Sequence, residues 1–372
     1  MHSLLHKSII VLFGWLMLVI TSAAQSHTTI SKLQFINEYV VDFIRHIDQV
    51  PVSGLSGIDY DHQSETYYII SDDGEAHYFS TKIFFTAKGI DSLHVLKVHY
   101  LTKNGKRILP TKQKDGEVDP ESIRINQATH EVYWTSEGER SSKKNSFIDP
   151  AIYVAGKNDE QTGSIPLPEN LKMSTEEHGP RQNGTLEGLT FSNDYQMLYT
   201  SLEEPLYEDG PRASVTPAKT WSRIYQFNVK HKTNQAQYAY PLEPIAKVAI
   251  PQGAFSVNGI SEILFVNATQ LLVIERSYST GYLGCVIKVF LADLHEASDV
   301  KTISSLSANP PKKEIKKTLL LNMESLGIGI DNIEGVTFGP DFPNGHKSLI
   351  FVSDNNFNPL QKTQLLLFEV IP

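Results

Sequence analysis

The chain has 372 residues, 40% hydrophobic and 10% aromatic, enough to bury a sizeable core in one or two domains. Its formal net charge of -9 argues against a nucleic-acid partner, because phosphate-backbone binding needs clustered cations; a metal or cationic ligand is easier to justify. The lone Cys285, in the apolar run GCVIKVF, excludes an internal disulfide and reads as a small buried hydrophobe, so stability must come from packing or bound ions.

The first residues, MHSLLHKSIIVLFGWLMLVITSAAQS, combine Lys7, an apolar run from Ile9 to Ile20 and small residues at Ser22, Ala23 and Ala24. This predicts a secretory signal peptide over 1–24, cleaved after Ala24, and a secreted or periplasmic protein. The run has twelve residues where a bilayer span needs about 20, so no transmembrane anchor is expected.

From there one hairpin recurs five times: SGIDYDHQSETYYIISDDG, ESIRINQATHEVYWTSEGE, EGLTFSNDYQMLYTSLEE, EILFVNATQLLVIERS and EGVTFGPDFPNGHKSLIFVSDNN, starting at residues 56, 121, 187, 262 and 334. Alternating apolar residues, a turn and a nearly continuous apolar run predict two antiparallel strands packed on both faces. Each spacing leaves room for two further strands, such as KIFF and LHVLKVHYL after the first hairpin or SRIYQFNV and AQYAYPL after the third. The fifth unit has only TQLLLFEV, and KLQFINEYVV near the start supplies its missing strand. The prediction is an all-β chain, a single β-propeller domain over 25–372 with five four-stranded blades and the N-terminal strand completing the last. Six blades, with one degenerate unit, is the alternative.

In an antiparallel hairpin the start of one strand lies beside the end of the next. Glu121, Glu187, Glu262 and Glu334 begin first strands; Asp72 and Asp73, Glu137, Glu203 and Glu204, Glu275, and Asp354 with Asn355 end second strands. With the first strand innermost, both sets converge on one mouth of the central channel. Crowded carboxylates must take up protons, meet cations or bind metal, and an all-oxygen set suits Ca²⁺. Salt bridges to Arg140, Arg223 and Arg276 are the competing way to neutralise them. No serine elbow, HExxH or phosphate-cradling glycine loop is present.

The ordered run SDDG, TSEG, TLEGL, YEDGP with a following SRIY, IERSY, NIEGV and SDNN, over positions 51 to 370, resembles the phytase-like proteins described as having the esterase-like activity of phytase. The resemblance implies an exported propeller that hydrolyses phosphoric or carboxylic esters, with the family's acidic motifs falling on Asp72, Glu137, Glu187, Asp209, Glu275, Arg276, Glu334, Asp354 and Asn355. The expected site has Glu137, Glu187 and Arg276 as catalytic groups, with Asp72, Glu121, Glu262, Glu275, Glu334 and Asp354 as Ca²⁺ ligands. Asp73, Arg140, Glu203, Asp209, Arg223 and Asn355 are expected to contact a small-molecule ester or phosphoester substrate. A monomer is expected. The alternative is a non-catalytic binding propeller of the cell envelope.

Overall fold

A computed structural model describes residues 28–43, 45–72, 75–111 and 118–372. The leader expected over 1–24 and the expected substrate contact Asp73 lie outside the described residues. Five four-stranded antiparallel sheets form the blades of a five-bladed β-propeller, which decides against six. Blade 1 runs from its inner strand Leu55–Asp61 through Thr66–Ser71 and His77–Thr86 to Gly89–Tyr100. Blade 2 comprises Pro120–Asn126, Glu131–Ser136, Ala151–Ala155 and Gln161–Ile165. Blade 3 comprises Leu186–Phe191, Met197–Leu202, Trp221–Asn228 and Thr233–Pro241; blade 4 comprises Ser256–Asn267, Gln270–Ser279, Val286–Asp293 and Lys316–Asn322. Blade 5 takes Asn332–Phe338, Ser348–Asp354 and Thr363–Ile371 from the end of the chain and Lys32–Val41 from its beginning. That last pairing, in which Lys32 lies opposite Ile371, closes the ring as the sequence predicted.

Apolar side chains on both faces of each blade fill the seams between neighbours. Ile70, Tyr78, Ile123 and Trp134 pack between blades 1 and 2, and Ile58, Phe79, Ile350 and Leu365 between blades 5 and 1. Each fully buried side chain of this size contributes about 1.5–3 kcal/mol, so the seams rather than the isolated sheets carry the fold. No helix among the described residues is long and apolar enough to cross a membrane.

The inner strands share one irregularity that sets up the site. Pairing with the second strand slips by one residue between Leu55 and Gly57, Pro120 and Ile123, Leu186 and Leu189, Ile260 and Glu262, and Ile333 and Gly335. Such bulges re-aim a side chain at the rim of a sheet. After the bulged residue the backbones of adjacent inner strands nearly touch. A Cβ on Gly188 would lie 2.7 Å from the Ile263 nitrogen, and one on Gly335 3.0 Å from the Ile58 nitrogen. The Glu-Gly pairs therefore join an acid aimed at the axis to a glycine that lets the blades meet.

Candidate functional site

Aligning the blades by their bulges gives one residue per blade at the bulge: Ser56, Glu121, Glu187, Ser261 and Glu334. Glu262 is not in this set. It stands one place further on, where blades 1, 3 and 5 have Gly57, Gly188 and Gly335, and a one-residue slip sends a strand side chain the other way. The same count at the second strands aligns Asp72, Glu137, Glu203, Arg276 and Asp354, so Arg276 holds the fourth place instead of Glu275. Both expected acids of blade 4 are out of phase with the others.

Their surroundings show the consequence. The Glu262 carboxylate accepts hydrogen bonds from the Leu189 and Ile263 amides at 2.9 Å each and from Ser122 Oγ at 2.9 Å, and pairs with Arg124 Nη2 at 3.0 Å. Arg124 also donates to the carbonyls of Ile58, Ile123, Ile263 and Val336, on four of the five inner strands, so it fills the channel there. Burial pushes Glu262 up to about 7, with Arg124 and the amides holding it down. Glu275 accepts from Lys317 Nζ at 2.6 Å, Asn258 Nδ2 at 2.8 Å, Tyr240 Oη at 2.9 Å and the Glu243 amide at 3.0 Å, away from the mouth. Neither glutamate has capacity left for a metal, which corrects both expectations.

The other acids do gather. Asp119, Glu121 and Glu137 can each place an oxygen within 4.8 Å of the others, and so can Glu137, Glu187 and Glu203, so Glu137 belongs to two groups able to bind a metal ion. Burial, then the charges of Glu187 and Glu137, lift Glu121 well above the usual carboxylate range; burial, then Glu203 and Glu137, do the same for Glu187. Glu137 rises to about 8 through burial and Glu203, although it accepts a 2.7 Å hydrogen bond from the Thr185 amide. Glu334 is lifted by burial and by Asp354 and Asp72, against the pull of Arg276. Among the described residues Arg276 is the cation these acids share: it donates to Glu203 at 2.6 Å, to Asn332 at 2.7 Å, and to Glu334. Burial works against its charge, yet Glu203, Glu334 and Glu187 hold its pKa well above the ordinary value.

Four expected substrate contacts sit elsewhere or are already engaged. Arg223 and Asp209 form a fully buried two-pronged pair, at 2.6 and 2.8 Å, that also ties down the chain near Leu306. Their burial leaves no face for a ligand. Arg140 braces the excursion before blade 3 by donating to the carbonyls of Ser174 and Glu176. Asn355 is buried, its Oδ1 accepting from Ser53 Oγ at 2.6 Å and the amides of Gly54 and Phe357. It organises the turn joining blades 5 and 1. Of that expected group Glu203 remains in the acid ring. Sequence reasoning missed Asp119, whose signal is its place before Pro120 and Glu121, and Arg124, which looks like any polar residue alternating with Ile123 and Ile125.

Beside the ring opens a pocket of about 970 Å³, with Glu203 and Arg276 in its wall. Gln182 and Asn183, from the excursion before blade 3, line it too. Cys285 also faces it, half-buried, with burial pushing the thiol up to about 12, so no thiolate nucleophile is available there. A second cavity of about 300 Å³ lies at the opposite ends of the inner strands, on the far side of Arg124.

The description "Phytase-like: Esterase-like activity of phytase" matches residues 50–357, and the chain belongs to that family. No curated protein matches the chain. Among solved structures it is similar to an endo-arabinase from Bacteroides thetaiotaomicron, at 12% identity and TM-score 0.44, covering 86% of this chain and 95% of that one. An exo-beta-1,3-galactanase from Phanerochaete chrysosporium matches at 11% identity and TM-score 0.45, over 90% of this chain and 65% of that one. A gluconolactonase from Xanthomonas campestris matches at 12% identity and TM-score 0.34, over 87% and 74%. Likenesses this distant say nothing about activity.

Proposed function

We propose that the protein is an exported, cation-dependent ester hydrolase acting on phosphomonoesters, with its site in the acid ring. The observation that carries this is the sharing of Glu137 by two carboxylate triads in a ring whose one shared cation among the described residues is Arg276. Two carboxylate charges about 5 Å apart repel by roughly 3 kcal/mol even at an effective dielectric of about 20, so the ring demands protons or a bound cation. The donor set fits a hard divalent ion, Ca²⁺ foremost. Asp119, Glu121 and Glu137 would hold it, and when bound it would polarise the ester and acidify a water.

The chain's own residues supply the rest. Glu187, grouped with Glu137 and Glu203 beside the cation-holding triad, accepts the proton of the attacking water as general base. Glu203 and Glu334 hold Arg276 so that its guanidinium faces the negative charge developing on the phosphoryl oxygens. The water oxygen bonds to phosphorus, the bond to the alcohol oxygen breaks, and the departing alkoxide takes up the proton that Glu187 accepted from the water and leaves as the alcohol.

The prior engagement of Arg276 with two carboxylates favours a second reading, a ligand-binding propeller of the cell envelope without turnover. Hydrolysis of p-nitrophenyl phosphate with Ca²⁺, with EDTA, and by Glu137→Gln separates the two. The hydrolase reading requires turnover that EDTA and the substitution both abolish; turnover unaffected by EDTA would overturn it.

A further inference from the structure

The lining of the large pocket combines its polar groups with several large apolar side chains. Phe255, Tyr278, Tyr282, Leu283 and Leu360 come from three separate segments of blades 4 and 5 and border one cavity. Leu283 is 98% exposed and Leu360 84%, with Phe255 at 61%. A single exposed leucine needs no explanation, but several large apolar side chains around one cavity that also holds convergent polar groups describe a ligand pocket. The cations of the same pocket are already committed. Arg212 pairs with Glu204 at 2.6 Å, Lys362 with Glu38 at 3.3 Å, and Arg276 with Glu203 and Glu334. A polyanion entering here would meet no uncommitted guanidinium or ammonium among the described residues, and would face the carboxylates themselves.

We infer that this pocket selects esters of a large apolar or aromatic alcohol carrying one anionic group, and discriminates against highly phosphorylated polyols. The inference rests on the hydrolase reading for the reacting group and on the pocket alone for the remainder of the substrate. The apolar body lies against Phe255, Tyr282, Leu283 and Leu360 while the ester group reaches Arg276 and the acid ring beyond it. Size agrees with this: a cavity of about 970 Å³ is far larger than a phosphate ester of a small alcohol needs.

The test compares 1-naphthyl phosphate, phenyl phosphate, whose leaving group is of similar acidity, and inositol hexakisphosphate as substrates of the full protein with Ca²⁺. The expected order of kcat/KM places 1-naphthyl phosphate first, ahead of phenyl phosphate by several-fold, in keeping with burial of the second ring. Leu283→Asp and Leu360→Asp, both at exposed positions that tolerate charge, should each cut the naphthyl-to-phenyl ratio several-fold. Leu96→Asp, an equally polar change on the outer strand of blade 1 away from the pocket, should leave that ratio where it was. Equal turnover of all three substrates, preference for the hexakisphosphate, or a ratio indifferent to Leu283→Asp would each overturn the inference while leaving the hydrolase intact. If no substrate turns over, equilibrium dialysis with 1-naphthyl phosphate decides. Binding weakened by Leu283→Asp retains the pocket assignment and removes the hydrolase, and no binding removes both.

Discussion

Blade 4 and the other four blades carry acids at the same hairpin tips and treat them in opposite ways. In blade 4 each acid is displaced by one residue and given its own cation, Glu262 with Arg124 and Glu275 with Lys317. Glu262 also uses two backbone amides and a serine hydroxyl, so its charge is satisfied by the chain. In blades 2, 3 and 5, Glu121, Glu137, Glu187, Glu203 and Glu334 stand in phase around the axis: the first three meet chiefly other acids, while Glu203 and Glu334 share Arg276. The place that blade 4 vacates in the ring is filled by Arg276. Buried acids of the first kind are neutralised within the chain; those of the second kind repel one another and are met by protons or, on the function proposed above, by a bound cation.

The comparison predicts substitutions of opposite sign. The largest effect is expected from Arg124→Ala, which strands Glu262 as a buried unpaired charge and should cost about 3–5 kcal/mol in urea unfolding. Its partner change Glu262→Gln in the Arg124→Ala background should recover part of that loss. If Arg124→Ala costs less than about 1 kcal/mol, the channel lock is not structural.

Glu137→Gln should do the reverse in metal-free protein. It keeps the acceptor for the Thr185 amide and removes one repelling charge, so the melting temperature should rise by a few degrees while hydrolysis falls by about a hundredfold or more. A fall in both would mean that Glu137 stabilises the fold and that the ring is not under charge strain.

An effect of pH follows from the same ring. Glu137, lifted to about 8 in the folded protein from an ordinary value near 4.5, makes the folded state bind more protons than the unfolded state within that window. Stability of the metal-free protein should therefore decline as pH rises from about 5 to 8, and saturating Ca²⁺ should flatten the decline. Smallest is Lys317→Met, which leaves Glu275 three of its partners and should cost about 1–2 kcal/mol with no change in cation binding.

Much of this arrangement was legible in the sequence, and the part that was not has a definite cause. Five hairpins, their outer strands and the closure of blade 5 by KLQFINEYVV follow from apolar alternation and spacing, which packing on both faces of every blade enforces. The in-phase acids of blades 2, 3 and 5 followed from hairpin geometry. In blade 4 residue type is a misleading guide, because Glu262 looks like the glutamates that open the other inner strands but stands one place out of phase with them. Matching Ile263 to Ile58, Ile123, Leu189 and Val336 by apolar phase puts Ser261 at the bulge and Arg276 in the ring. Arg223 with Asp209, Arg140 and Asn355 look like substrate contacts in the sequence because polar residues near strand ends are alike there whatever their partners. Their partners lie far along the chain, as with Asp209 and Leu306 or Asn355 and Ser53.

The central claim, that the in-phase carboxylates require an external cation, is tested most directly by calorimetric titration of Ca²⁺ into the metal-free protein at pH 7 in two buffers of different ionisation heat. The account predicts saturable binding with release of protons from the lifted carboxylates, and loss of both in Glu137→Gln. Absence of binding at millimolar Ca²⁺, or binding undiminished in Glu137→Gln, would contradict it.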